Sequence, residues 1–379
     1  MNDPYLEYYG RHEISPVRQD VSDFDLHMAR RRKLYRQLGM PTRVFTDVDM
    51  LEVGPGGGYN TLCFFRWGAR HIDLVEANRA GVDDMRENFA RHGVEERLYD
   101  IHEARIQDFA KGSVRKYDIV IAEAFLHYLP DGRDIFQSLC GMVGPGGIVV
   151  VTCADEHGDL VEMMKRMIAQ SIVKDIPDWG EKVRILSDVF RPQLDALRGA
   201  SRSIEDWVKD NLLDSPHVSG ARWTMADMID MAPPSFDLLG SSPHMFCDMS
   251  WYKDVWHDPK RCYLDQYRRR RACLLLAGME ERYIEPDVTD DIARAVHEAN
   301  LAAIDHEASH DDACLMAASE SVGRLCPLVR DIDGDLYRVC CQMRDALMDA
   351  REGEVHWDEH PDFFKAFGRA LQYASFVRR

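Results

Sequence analysis

Three carboxylates and a run of glycines have the types and the spacing to hold a nucleoside with a charged tail. Leu51-Glu-Val-Gly-Pro-Gly-Gly-Gly58 sets Glu52, Gly54, Gly56 and Gly58 in an E-x-G-x-G-x-G pattern, where an apolar run gives way to an amphipathic one. Glycine belongs there because the turn is tight and a ligand must lie against the backbone with no Cβ in the way. The dinucleotide fingerprint G-x-G-x-x-G follows related logic. Here, however, the last gap holds one residue and an acid stands two positions before the first glycine. A carboxylate repels pyrophosphate at a helix start and attracts an ammonium. Glu52 therefore argues for a cationic, amino-acid-like ligand tail. Glu76 follows Gly54 by 22 residues, at the end of a second apolar run. An acid in that place accepts hydrogen bonds from ribose hydroxyls in nucleoside-binding α/β folds. Glu123 closes a later run, Tyr117-Asp-Ile-Val-Ile-Ala-Glu123.

The elements that must position these groups follow from hydrophobic periodicity. Short apolar runs predict strands over 48–53, 71–76, 98–103, 117–123 and 147–153, with helices over 61–67, 82–92 and 135–143 between them. Strands alternating with helices of this length make βαβ units and a parallel sheet with helices on both faces. Residues 1–45 read as a helical N-terminal lid or substrate segment, with one helix carrying Phe24, Met28, Leu34, Tyr35 and Leu38 and stopping at Gly39. The sheet domain is expected over 46–255, interrupted by a helical insertion at about 156–235 and closed by two late strands, 236–240 and 245–251. From 256 to 379 only helices are expected, over 262–280, from a cap at Thr289, and over 311–327, 334–350 and 361–377. That stretch reads as a separate helical domain.

The glycine loop, Glu76, the run from 117 to 130 and Val143-Gly-Pro-Gly-Gly-Ile-Val-Val-Val151 match in order over about residues 48–153. Together they resemble the class I S-adenosylmethionine-dependent methyltransferase superfamily. The resemblance implies an α/β, Rossmann-like methyltransferase sheet and S-adenosyl-L-methionine as cofactor. It implies that Glu52, Gly54, Gly56 and Gly58 surround the methionine portion and that Glu76 holds the ribose, with Asn78 nearby. Ile106 and Gln107, in Ala104-Arg-Ile-Gln-Asp108, would contact the adenine, and Glu123 would face the methionine tail and the substrate. Methyl transfer from a sulfonium is a displacement. The protein is left with alignment, exclusion of water and removal of a substrate proton, and no metal is required.

Substrate-side groups must come from segments that reach the methyl group. In this superfamily these are the N-terminal segment, the loop after the fourth strand and late insertions. They offer Tyr8, Tyr9 and His12; His127 and Tyr128; and Trp251, Tyr252 and Lys253. Histidine accepts a proton near pH 7, and aromatics enclose a cation. His127 and Tyr128, with Glu123, are the best placed for catalysis. Two arginine runs, Arg30 to Arg32 and Arg268 to Arg271, offer a carboxylate or phosphate of the substrate a partner, but read better as solvated helix faces or partners for surplus acids, since consecutive helical residues point in different directions. His356-Trp-Asp-Glu-His360 has metal-ligand spacing but is bracketed by Gly353 and Pro361, so a polar surface turn is expected and no metal.

The formal charge of −18 argues against a nucleic-acid partner and leaves a cationic or zwitterionic acceptor open. The first 45 residues, with eight basic and six acidic side chains, differ locally. No apolar run approaches the ~20 residues of a bilayer span, and no secretory signal opens the chain. Ten cysteines without Cys-x-x-Cys spacing read as reduced and mostly buried. The expectation is a cytoplasmic methyltransferase acting on N or O of a small polar metabolite, with a homodimer interface available on the C-terminal helices. Three other readings stand beside it: a protein or peptide side-chain methyltransferase of the arginine type, a non-catalytic binding module, and transfer of the cofactor's aminocarboxypropyl group.

Overall fold

β-branched and aliphatic runs that are apolar on both faces can only be central strands of a covered sheet. The computed structural model, which describes residues 4–12, 14–15, 18–112, 115–197, 202–214, 222–353, 355 and 357–379, uses them that way. β1 (Asp49–Val53), β2 (His71–Glu76), β3 (Tyr99–Glu103), β4 (Tyr117–Ala122) and β5 (Val143–Cys153) pair in parallel. β6 (Phe236–Ser242) and β7 (Gln372–Arg378) complete a seven-stranded Rossmann-like sheet in the order β3-β2-β1-β4-β5-β7-β6. β7 runs antiparallel to both of its neighbours.

Register positions the site. Val53 pairs with Val75 on one side and with Ala122 on the other, so β1, β2 and β4 end level. The residues that follow those pairs are Gly54, Glu76 and Glu123. Strand order also reverses between β1 and β4, because β1 continues outward through β2 and β3 while β4 leads to β5. Ligands of open α/β sheets bind in the crevice at such a switch point.

The chain divides into two units. One holds 1–153, 223–247 and 372–379; the other holds 154–222 and 248–371. This differs from the expected partition at three places. The helices of 154–222 are grouped with those of 248–371 rather than forming an insertion in the sheet domain. The chain end, where a helix over 361–377 was expected, holds only a short helix, Pro361–Lys365, before β7. And 245–251 forms no strand, so β6 finds its partner in β7 instead. The pairing of 372–378 with 148–153 spans more than two hundred residues, and no local pattern encodes it. Thr289 likewise is not a cap. The helix Pro286–Ser309 starts earlier, and the Thr289 hydroxyl donates to the Pro286 carbonyl within its first turn.

In the sheet unit, Tyr35, Phe45, Phe64 and Trp67 pack edge-on and stacked beneath β1. The helical unit has its own core. Met163, Met164, Met167 and Ile168 of the helix Glu156–Ile172 are buried with Ile292, Val296, Leu315, Val322 and Met343, so the methionine-rich stretch is packing. No disulfide joins any of the ten cysteines, five of which are buried and two, Cys247 and Cys262, exposed. No described helix is long and apolar enough to cross a membrane. His356 lies outside the described residues; His360 is bonded to Asp349 at 2.7 Å.

Candidate active site

β1 leads straight into the glycine loop. Gly54, Gly56 and Gly58 all take positive φ, at 67°, 54° and 70°. These are the three glycines of the sequence pattern, and the turn requires them. A Cβ on Gly54 would sit 2.8 Å from the Phe125 ring, and one on Gly58 would sit 2.7 Å from Phe89. The loop closes with Gly58 N–H donating to the Pro55 carbonyl at 3.0 Å, and the helix Thr61–Trp67 follows.

Glu76 holds that loop in place. One carboxylate oxygen accepts from Gly56 N–H at 2.9 Å and the other from Asn78 N–H at 2.8 Å. Burial pushes its pKa up, and the amides of Asn78, Gly56 and Ala77 work against the rise. Asn78 caps the helix Arg79–Arg91 by accepting from Ala80 N–H, and its amide donates to the Ile14 carbonyl. Its side chain thus ties the N-terminal segment to the end of β2. Ser15 makes a second tie, donating to Asp84 at 2.8 Å, and Tyr59 of the glycine loop reaches the same carboxylate.

Glu52 is buried and accepts from the Thr61 hydroxyl at 2.7 Å. Burial raises its pKa to about 8 against that hydrogen bond; nearby Glu123 adds to the rise and Arg31 opposes it. Glu123, just past β4, is gripped by Arg31, whose Nη2 lies 2.8 and 2.9 Å from the two carboxylate oxygens. Tyr35 donates to Glu123 at 2.7 Å and accepts from Arg31 at 2.9 Å. Burial works against the Arg31 cation, but the pull of Glu123 and Tyr35 outweighs it and holds the guanidinium charged.

Of the two readings of Arg30 to Arg32, a solvated face or partners for surplus acids, Arg31 takes the second, with Glu123 as its acid. Arg32 is exposed, whereas Arg31 turns inward with His27 and Tyr35 at every fourth position of the helix Phe24–Gln37. That spacing was the available signal, masked by the charged residues around it. Arg31, Tyr35 and Thr61 are the site residues that sequence reasoning missed.

The loop after β4 is strained at Ala124, which takes φ 67° while its N–H donates to Thr152 Oγ1 at 2.7 Å. Such conformations persist only where surrounding structure enforces them. His127 is fully buried behind the loop, with Nδ1 3.3 Å from the Thr152 carbonyl of β5 and its ring 4.1 Å from that of Tyr128. Ile106 is buried at the start of the helix Ile106–Gly112, and Gln107 donates to Asp131 at 2.9 Å. Both line a groove of about 460 Å³ that continues along Lys111, Asp134 and Ser138. Tyr8, Tyr9 and His12 cluster on and just past the helix Pro4–Arg11, their rings 5.0 to 5.4 Å apart. Trp251 and Tyr252 belong to the helical unit and are exposed, with Lys253 lying over both rings. The arrangement therefore brings together Glu52, the three glycines, Glu76, Asn78 and Glu123.

Among the described residues, His71, Asp73 and Asp100 could offer a metal three ligand atoms, at the opposite ends of the strands. Asp73 is already engaged there by His102, Arg115 and Tyr117.

The site has the chemistry to suit S-adenosylmethionine. A buried acid at the end of β2 suits ribose hydroxyls, Glu52 and Glu123 suit an ammonium, and a glycine-rich loop lies beside them. A family model described as "Methyltransferase domain" matches residues 51–151. The ribosomal protein L11 methyltransferase of Staphylococcus carnosus is 27% identical over 122 residues, 31% of this chain and 36% of that protein. The ubiquinone biosynthesis O-methyltransferase of Aromatoleum aromaticum is 25% identical over 147 residues, 39% of this chain and 54% of that one. The tRNA 5-carboxymethoxyuridine methyltransferase of Escherichia coli is 26% identical over 115 residues, 30% and 43%. The matches thus span about a third to a half of the curated relatives' lengths. An O-methyltransferase family protein from Burkholderia thailandensis aligns over 35% of this chain and 39% of its own at 17% identity, with a TM-score of 0.29.

Proposed function

We propose that residues 51–151, which match a family model described as "Methyltransferase domain", form a class I S-adenosylmethionine-dependent methyltransferase domain, and that the chain transfers a methyl group from S-adenosyl-L-methionine to N or O of a small polar metabolite. The observation that carries the reading is the set of level strand ends, which brings Gly54, Glu76 and Glu123 together, with Glu52 two residues earlier on β1, around three positive-φ positions that glycine accommodates. When bound, the cofactor supplies an electrophilic methyl group on sulfur. This chain's residues do the rest. Glu76, which would hold the ribose, fixes the glycine loop through the Gly56 amide, Glu52 offers its carboxyl group to an ammonium, and the N-terminal segment tied to Asn78 and Asp84 shields the loop from water.

Of the three residues expected to handle the substrate proton, Glu123 is the one inside the charged cluster. We assign it the acceptor-facing role. His127, buried against Thr152, would orient the loop, and Tyr128 stands beside it. A small polar acceptor is favoured because the cluster is buried and charged, a setting that suits a compact ligand with its own complementary charges. We place the protein in the cytoplasm and put any homodimer contact on the helical unit, to be tested by sedimentation.

The test is transfer of labelled methyl from S-adenosylmethionine into a metabolite extract. Label in the small-molecule fraction, with S-adenosylhomocysteine as co-product, supports the proposal. Label in macromolecule selects the peptide reading, and methylthioadenosine as co-product selects aminocarboxypropyl transfer. A folded chain that binds neither S-adenosylmethionine nor S-adenosylhomocysteine would leave only the non-catalytic module.

A further inference from the structure

Arg31 is the one Lys or Arg among the described residues of the sheet unit that is buried, at 6% exposure. It sits against Glu123 and within electrostatic reach of Glu52. Stability alone is a weak explanation for such a group, because a buried ion pair is often no better than apolar packing of the same volume. The guanidinium is also only partly used. Nη2 holds Glu123 and Tyr35, and the Tyr373 hydroxyl of β7 is also within hydrogen-bonding reach of the guanidinium, while Nε–H on the Nη2 edge is buried and makes no hydrogen bond of good geometry. The Nε–Nη2 edge is the planar fork that takes a carboxylate through two parallel bonds.

An amino-acid tail brings one ammonium and one carboxylate. The two carboxylates, buried Glu52 and half-buried Glu123, suit the ammonium; for the carboxylate the cluster has one cation. We propose that Arg31 recognises the tail carboxylate of the cofactor, exchanging Glu123 for it, and that Glu123 is thereby released toward the acceptor. Arg31 is then a specificity residue for the amino-acid tail, and ligand binding switches Glu123 from partner to working carboxylate. Near neutral pH Glu52 holds a proton in the free chain; it gives that proton to solvent as the ammonium pairs with it, and every other change is an exchange of ion pairs. This inference rests on the reading of the cluster as an S-adenosylmethionine site.

Isothermal titration of the full chain tests it with three probes: S-adenosylhomocysteine, its descarboxy analogue, and methylthioadenosine, which lacks the whole tail. On the unaltered chain, loss of the carboxylate is expected to weaken binding about tenfold or more, the scale of a charged hydrogen-bonded pair. In Arg31→Gln, S-adenosylhomocysteine and the descarboxy analogue should bind alike, with methylthioadenosine unchanged. Arg31→Lys should recover part of the preference. A merely structural arginine would lower the affinity of all three probes together. Equal affinity of the unaltered chain for the two tailed ligands overturns the inference, as does a preference that survives in Arg31→Gln. If that variant does not fold, the unaltered chain and Arg31→Lys decide between the same outcomes. A folded, unaltered chain that binds none of the probes overturns the cofactor reading instead.

Discussion

Glu52 carries a cost that the ligand-free protein bears for the sake of the site. Its carboxyl titrates near 8 when folded, against an ordinary value near 4.5. Between those values the folded chain keeps a proton that the unfolded chain has released, so stability falls as pH rises through that window. Glu52→Gln should therefore melt progressively higher than the unaltered chain as pH goes from 5 to 8 without cofactor, and the difference should level off above that. A melting difference that does not change with pH would contradict this. The same variant should bind S-adenosylhomocysteine more weakly, since it cannot supply a carboxylate to the ammonium. At Glu76 the expectation is simpler. Glu76→Gln leaves one acceptor for the loop amides but weakens the ribose contact, and titration should show about tenfold loss. Arg268→Ala, which removes an exposed partner of Asp290, should leave binding unchanged. Both acids were legible from residue type and spacing. Arg31 was not, because its role depends on which side of the helix faces the sheet, and a run of four basic residues hides that side.

At the scale of elements, helix Phe24–Gln37 presents Arg31 and Tyr35 because its C-terminal end is pressed onto β6. A Cβ on Gly240 would lie 2.6 Å from the Leu38 carbonyl carbon and 2.7 Å from the Gln37 oxygen. Both are backbone atoms that cannot rotate away. Gly240→Ala should cost about 1–3 kcal/mol in denaturant unfolding and loosen S-adenosylhomocysteine binding through the displaced helix. Retained stability would show that the helix can move without consequence. The glycine loop is the contrasting case. Gly54→Ala meets the Phe125 ring and a φ of 67° together, so the loss should fall on binding as well as on stability. The first five strands and their helices were readable because each carries its own apolar period. The strand at the chain end was not, since its short alternation is outweighed by the helical pattern before it and it becomes a strand only when β5 and β6 supply partners.

For the whole molecule, the order of strands makes the seven residues Gln372–Arg378 part of the sheet. β7 gives hydrogen bonds to β5 on one side and β6 on the other. A chain ended at Leu371 should leave both edges unpaired, and exposed edges of that length aggregate. The expected result is loss of soluble protein. A soluble truncated chain with an unchanged circular dichroism spectrum would show that the sheet closes without β7.

What the sequence determined by itself was local chemistry: a loop that only glycines can form, an acid before it, acids at the ends of later strands, and the parallel sheet that βαβ spacing imposes. Each of these is set by residues near one another in the chain. Tertiary structure decided the rest. It made Gly54, Glu76 and Glu123 level through the register of three strands. It turned Arg31 into the partner of a carboxylate 92 positions away, and it grouped helices from two stretches of chain into one unit. Those outcomes depend on which faces meet, and a single chain read in order does not contain that until its distant parts are packed together.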